Sequence, residues 1–211
     1  MMETAIVAFT TFFATIAPLD VAAMFAALTP NATPEAKRSM ALRGTMISAV
    51  ILLSFALVGE IVLSTLGISL AALKVAGGIL LLLIGIEMVF ARSSGGTSTT
   101  DEEDQEAIAS KDIAVFPLAT PLIAGPGAMG ATILLMADAR GDLIAEAVII
   151  GAMLTVLLLT LALLLLTNKV LRLFGITAMY VISRVFGVLL SALAVQFMFD
   201  GLAQSGLLGN N

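Results

Sequence analysis

Apolar residues in this chain do not alternate with polar ones at a strand or helix period. They come in long unbroken runs. Six stretches, 4–28, 40–66, 69–91, 113–136, 143–167 and 177–202, are almost wholly apolar, with polar residues collected between them. Each supplies the roughly 20 residues that a helix needs to cross a ~30 Å hydrocarbon core. A helix satisfies its own backbone where no water is present, so six spanning helices are predicted. The first run is not read as a cleaved signal. Glu3 is its only early charge, no basic segment precedes it, and it continues past Pro18.

Composition removes the alternative of a water-soluble domain. Of 211 residues, 60% are hydrophobic and only 12% charged, with mean hydropathy +1.11, against roughly 25% charged in globular proteins. Six spans and short loops leave no room for a separate soluble domain. The chain has no cysteine and no histidine, so thiol nucleophiles, disulfides and imidazole bases or metal ligands are excluded. No metal or cofactor is expected, and a net charge of -5 gives no footprint for nucleic acid.

Charge also orients the spans. Lys37, Arg38, Arg43, Arg92, Lys111, Lys169 and Arg172 fall on one side, and Arg140 alone on the other. The positive-inside rule puts the seven in the cytoplasm and both termini in the periplasm or exterior. Residues 92–112 combine a Ser/Thr/Gly run with Asp101, Glu102, Glu103, Asp104 and Glu106, the composition of a solvated acidic linker.

That linker separates two halves that read alike, 1–91 and 113–211. Ala17-Pro18 matches Gly125-Pro126, Leu66-Gly67-Ile68 matches Phe174-Gly175-Ile176, and Lys74-Val75-Ala76-Gly77 matches Arg184-Val185-Phe186-Gly187. From 18 to 126 and from 67 to 175 the step is 108; from 74 to 184 it is 110. Each half has three spans, an odd number, so the halves are expected to have opposite orientations in the bilayer. Inverted repeats with interrupted helices point to a transporter whose site lies at the repeat interface.

The first and fourth spans are the interrupted ones. One carries Thr15-Ile16-Ala17-Pro18-Leu19-Asp20. The other carries Pro117-Leu118-Ala119-Thr120-Pro121-Leu122-Ile123-Ala124-Gly125-Pro126-Gly127. Proline removes a donor and clashes with the preceding turn. Irregular backbone at membrane depth must be buried in protein or line a wet cavity. The tails 19–28 and 127–137 are each about 15 Å long as helix, half of the hydrocarbon core. Both half-helix N-termini should then meet near the midplane, where free N–H groups suit a carboxylate. Thr15, Ala17, Pro18, Leu19, Asp20, Thr120, Gly125, Pro126 and Gly127 are the candidate binding residues. Plain proline kinks are the alternative.

Five charges, Asp20, Lys74, Glu87, Arg184 and Asp200, lie within the spans, with Glu60 near one end. Each needs a partner, water or a route to the interface. Asp20 either caps the second half-helix or carries a proton or cation. Lys74 and Arg184, at matching positions, either snorkel, or close the two ends of a central cavity, or pair with Asp20, Glu87 or Asp200. The stripe Ser183, Gly187, Ser191 permits close helix packing, within one chain or between copies in a homo-oligomer.

The stretch Pro117-Leu-Ala-Thr-Pro-Leu-Ile-Ala-Gly-Pro-Gly-Ala128 closely resembles the second-half signature of the MarC family of bacterial and archaeal inner-membrane proteins. Pro18-Leu19-Asp20 resembles its first-half motif, usually Asn-Pro-x-Gly-Asn, and Arg184-Val-Phe-Gly-Val-Leu-Leu-Ser-Ala-Leu-Ala-Val-Gln196 resembles its last helix. Here Ala17 replaces the usual Asn, Asp20 stands where Gly is common, and Val21 replaces the second Asn. The resemblance implies an inner-membrane transporter of small neutral amino acids, glycine or alanine, of the SnatA type within a LysE-like group. Coupling to a proton or Na+ gradient is expected with it, but the departures at 17, 20 and 21 bear on both substrate and coupling. Three other functions compete: an exporter of another metabolite, an ion channel, and a membrane-embedded lipid enzyme. The last lacks a nucleophile–base pair and clustered carboxylates, so the chain is not expected to be an enzyme.

Overall fold

The computed structural model describes residues 1–30, 32–90, 113–139 and 141–206; at 60, 168–177 and 179–180 it describes the backbone alone. The acidic linker 92–112 and Arg140 lie outside the described residues, as does the side chain of Glu60. Among the described residues every element is helical: α1 Met2–Ile16, α2 Pro18–Leu28, α3 Pro34–Thr65, α4 Leu70–Phe90, α5 Ala114–Ile123, α6 Pro126–Asp138, α7 Leu143–Leu165 and α8 Thr167–Gln204. Five stretches are long and apolar enough to cross a membrane, α1 with α2 counting as one; α5 with α6, bent by 53°, makes a sixth.

Local chemistry sets most boundaries. Thr33 caps α3, its hydroxyl accepting the Ala36 N–H at 3.2 Å, with Pro34 at the first helical position and Glu35 in the first turn. This start lies upstream of the expected residue 40, because the signal is polar and hydropathy does not see it. Asp142 caps α7 by accepting from the Ile144 and Ala145 N–H groups at 3.0 and 3.1 Å. Gly67, at φ 68°, ends α3 in the left-handed conformation that glycine adopts without strain.

One expected boundary is absent. Phe174-Gly175-Ile176, matched in sequence to the turn at Gly67, lies inside the continuous helix α8. A single glycine costs a helix only about 1 kcal/mol, and the helix assignment is interrupted earlier, at Leu166, the one residue between α7 and α8.

The halves are cross-packed. α1 lies on α7 as α5 lies on α3. α2 lies on α7 and α8 as α6 lies on α3 and α4. The counterparts α3 and α7 touch, and α4 and α8 share the most extensive interface. Apolar side chains fill the interior, among them Phe12, Phe25, Leu52, Leu118, Leu134 and Met153. The outer faces are equally apolar, with Leu57, Ile61, Leu83, Leu158 and Val188 exposed, as expected where the surroundings are lipid. Buried hydroxyls bond back to their own helices: Thr132 donates to the Ala128 carbonyl at 2.7 Å and Thr160 to that of Val156 at 2.8 Å.

Candidate functional site

Both interruptions are present, and they are built differently. α1 and α2 are parted by Ala17 alone, at φ 48° and ψ 63°. Its N–H donates to the Phe13 carbonyl at 3.0 Å, and its carbonyl accepts from Val21 at 3.0 Å. Pro18 opens α2 and no side chain caps it. The N–H groups of Leu19 and Asp20 therefore have no partner within the helix.

The second interruption is longer. α5 is a wide-turned π-type helix in which Phe116 and Thr120 are fully extended, the conformation favoured just before proline. The Phe116–Pro117 and Thr120–Pro121 peptides are cis. Extended Gly125 then leads into Pro126, and α6 starts with no side-chain cap and no acidic residue in its first turn. Gly127 and Ala128 hold its free N–H groups. Ser48 of α3 reaches across to this segment, donating to the Ala119 carbonyl at 3.3 Å, which also accepts from the Ala124 N–H at 2.9 Å, and to its own Gly44 carbonyl at 2.8 Å.

The two interruptions meet. A Cβ placed on Gly127 would lie 3.9 Å from Cβ of Thr15 and would run into Ile84 of α4. Thr15 is buried and back-bonded to the Thr11 carbonyl at 2.8 Å. Pro18, Gly125 and Gly127 are buried with it, Leu19 and Thr120 are half-buried, and Pro126 is exposed. The junction is closed: Ile16, Ile123, Ala124 and Ala128 are buried around it. A cavity of about 370 Å3 lies elsewhere, lined by Ala32, Pro34, Lys37, Arg38, Leu164, Leu165 and Thr167.

Asp20 is not the cap of α2. Ala17 occupies the capping position, and Asp20, two residues past Pro18, is in the first turn. Its half-buried carboxylate accepts a hydrogen bond from the Ser183 hydroxyl of α8 at 2.8 Å. Ser183, read in sequence only as part of a packing stripe, is thus joined to the first interruption. Gly187 and Ser191 of the same stripe pack within the monomer, against Gly85 of α4.

Lys74 and Arg184 share a sequence position but not an environment. Lys74 is 3% exposed and forms an ion pair with Asp138 at the end of α6. It pairs with none of Asp20, Glu87 and Asp200, the partners expected. Asp138 was missed because the apolar run stops at 136; its signal was a carboxylate at the far end of the second half-helix. Arg184 is exposed. Asp200 accepts from the Gln196 side-chain amide at 2.8 Å on its own helix. Two buried hydroxyls, Thr11 on α1 and Thr45 on α3, have no hydrogen-bond partner. Thr11 is one helical turn from Thr15, on the same face.

Comparison with known proteins gives one consistent result. A family model described as MarC family integral membrane protein matches residues 2–205. A UPF0056 membrane protein of Methanocaldococcus jannaschii is 39% identical over 198 residues, covering 93% of this chain and 95% of that one. A UPF0056 membrane protein of Archaeoglobus fulgidus is 34% identical, covering 93% and 91%. The UPF0056 membrane protein YvbG of Bacillus subtilis is 32% identical, covering 92% of each. No solved structure matches the chain.

Proposed function

Because this chain belongs to the MarC family of multi-pass integral membrane proteins, we propose that it is a secondary transporter of a small neutral amino acid, of the size of glycine or alanine. The observation that carries this reading is the meeting of Thr15 with Gly127, which brings together two interrupted spans with uncapped half-helices. Discontinuous helices converging between two related halves are the usual site of secondary transporters. The symmetric cross-packing of α1 to α4 on α5 to α8 supports an inverted repeat.

The two half-helix N-termini are chemically unequal. α6 begins without an acidic residue, so its N–H groups at Gly127 and Ala128 receive the substrate carboxylate. α2 begins with Asp20, which takes the positive charge, the substrate ammonium or a coupling proton or Na+. Ser183 orients that carboxylate through its hydrogen bond.

Cross-packing also bears on how access alternates. One half moving as a body would part α4 from α8, whose backbones are in contact. The moving parts in this reading are the interrupted pairs, α1 with α2 and α5 with α6, against a frame of the four long helices. The asymmetry of basic residues supports a frame with Lys37 and Arg38 in the cytoplasm and both termini outside.

Flux of labelled glycine and alanine in proteoliposomes tests the proposal. Uptake or exchange of either is expected, and Asp20→Asn should lower it at least tenfold. No flux of any amino acid across a broad panel would overturn it.

A further inference from the structure

The cavity on the side of Lys37 and Arg38 is not used by transport as proposed above, and its chemistry is distinct. Lys37 and Arg38 of the first turns of α3 line it, with Ala32, Pro34, Leu164, Leu165 and Thr167. Among the described residues no carboxylate is part of the lining, and Glu35 on the same turn is exposed outside it. Among the described residues, neither cation is in an ion pair. At about 370 Å3 the cavity is in the size range of small-ligand sites.

Its depth identifies the ligand. The apolar spans end at Leu28 and Leu165 and begin at Pro34 on this same side, so the cavity lies where hydrocarbon gives way to headgroups. Cations and the starts of α3 and α8 form its polar wall. Leu165 and Leu166, 45% and 46% exposed, continue from it onto the lipid-facing surface. Basic pockets between spans at this level bind anionic lipid headgroups.

We propose that this cavity binds the phosphodiester headgroup of an anionic phospholipid, with Lys37 and Arg38 on the phosphate and an acyl chain along Leu165 and Leu166. The proposal is independent of the transport reading.

Native mass spectrometry and thermal unfolding of the detergent-solubilised full chain test it, with dioleoyl phosphatidylglycerol, dioleoyl phosphatidylcholine and inorganic phosphate as probes. Phosphatidylglycerol should bind as a discrete adduct and raise Tm. The double variant Lys37→Gln, Arg38→Gln should bind it roughly thirty-fold more weakly. The exchange Lys37→Arg, Arg38→Lys should retain binding, as should Arg43→Gln, which removes a charge outside the lining. Equal binding of phosphatidylcholine, or unchanged binding by the double variant, would overturn the site. Inorganic phosphate raising Tm as much as phosphatidylglycerol at equal concentration would overturn the lipid as its occupant.

Discussion

Ala17 holds a left-handed backbone, the only residue other than glycine to do so among those described, with no side chain able to use it. Asparagine tolerates that conformation better than alanine and would cap the free N–H groups of α2. Ala17→Asn should therefore raise stability by about 1 kcal/mol, read as a higher unfolding temperature in detergent. The ion pair of Lys74 and Asp138 gives a second, asymmetric expectation. Lys74 is 3% exposed and Asp138 45%. Asp138→Asn strands a buried ammonium and should cost about 3–5 kcal/mol. Lys74→Met strands a carboxylate that water reaches and should cost about 1 kcal/mol or less. Equal losses from the two variants would contradict the burial. Residue identities could be read ahead of the structure here, whereas pairings could not. Asp20 and Lys74 stand out as charges in apolar runs, but Ser183 and Asp138 lie far along the chain from them, on other helices.

At the scale of elements, the seam between α4 and α8 is the tightest contact. A Cβ on Gly187 would lie 2.9 Å from the Gly85 carbonyl oxygen, and one on Gly78 would lie 2.7 Å from that of Ala194. Backbone cannot yield as a flexible side chain does, so Gly187→Ala should force the helices apart at a cost of about 1–3 kcal/mol. Gly151→Ala on α7 meets nothing within 4 Å and should leave the unfolding temperature unchanged or slightly raised. The meeting of the interrupted spans can be tested as directly, because the chain has no cysteine. The 3.9 Å between Cβ positions at 15 and 127 suits a disulfide. Thr15→Cys with Gly127→Cys should oxidise to a product lighter by two hydrogens. Both interruptions were legible from Ala17-Pro18 and Gly125-Pro126, since proline acts within a turn of itself. The continuity of α8 through Gly175 was not, because one glycine is compatible with a turn and with a helix, and only the surroundings choose.

For the whole molecule, the main fact is that each half packs chiefly on the other. Residues 1–91 expressed alone lack the partners of α1 and α2 on α7 and α8, and residues 113–211 lack those of α5 and α6 on α3 and α4. Each half alone should be degraded, and the two expressed together should copurify. A stable, monodisperse half would show that it has a core of its own. The sequence reads as two three-span units of opposite orientation. Packing makes them one body.

Membrane residence, the approximate spans and the places where two of them break were determined by the sequence by itself. Lipid is a uniform apolar solvent, so run length decides whether a segment crosses, and proline decides where its hydrogen bonding fails. Which faces meet was decided only by the tertiary structure. In lipid the outward and inward sides of a helix are equally apolar, so hydropathy says nothing about which side is buried. Close backbone approach at Gly85 and Gly187, the hydrogen bond from Ser183 to Asp20, and the pairing of Lys74 with Asp138 depend on helices far apart in sequence being brought to one depth.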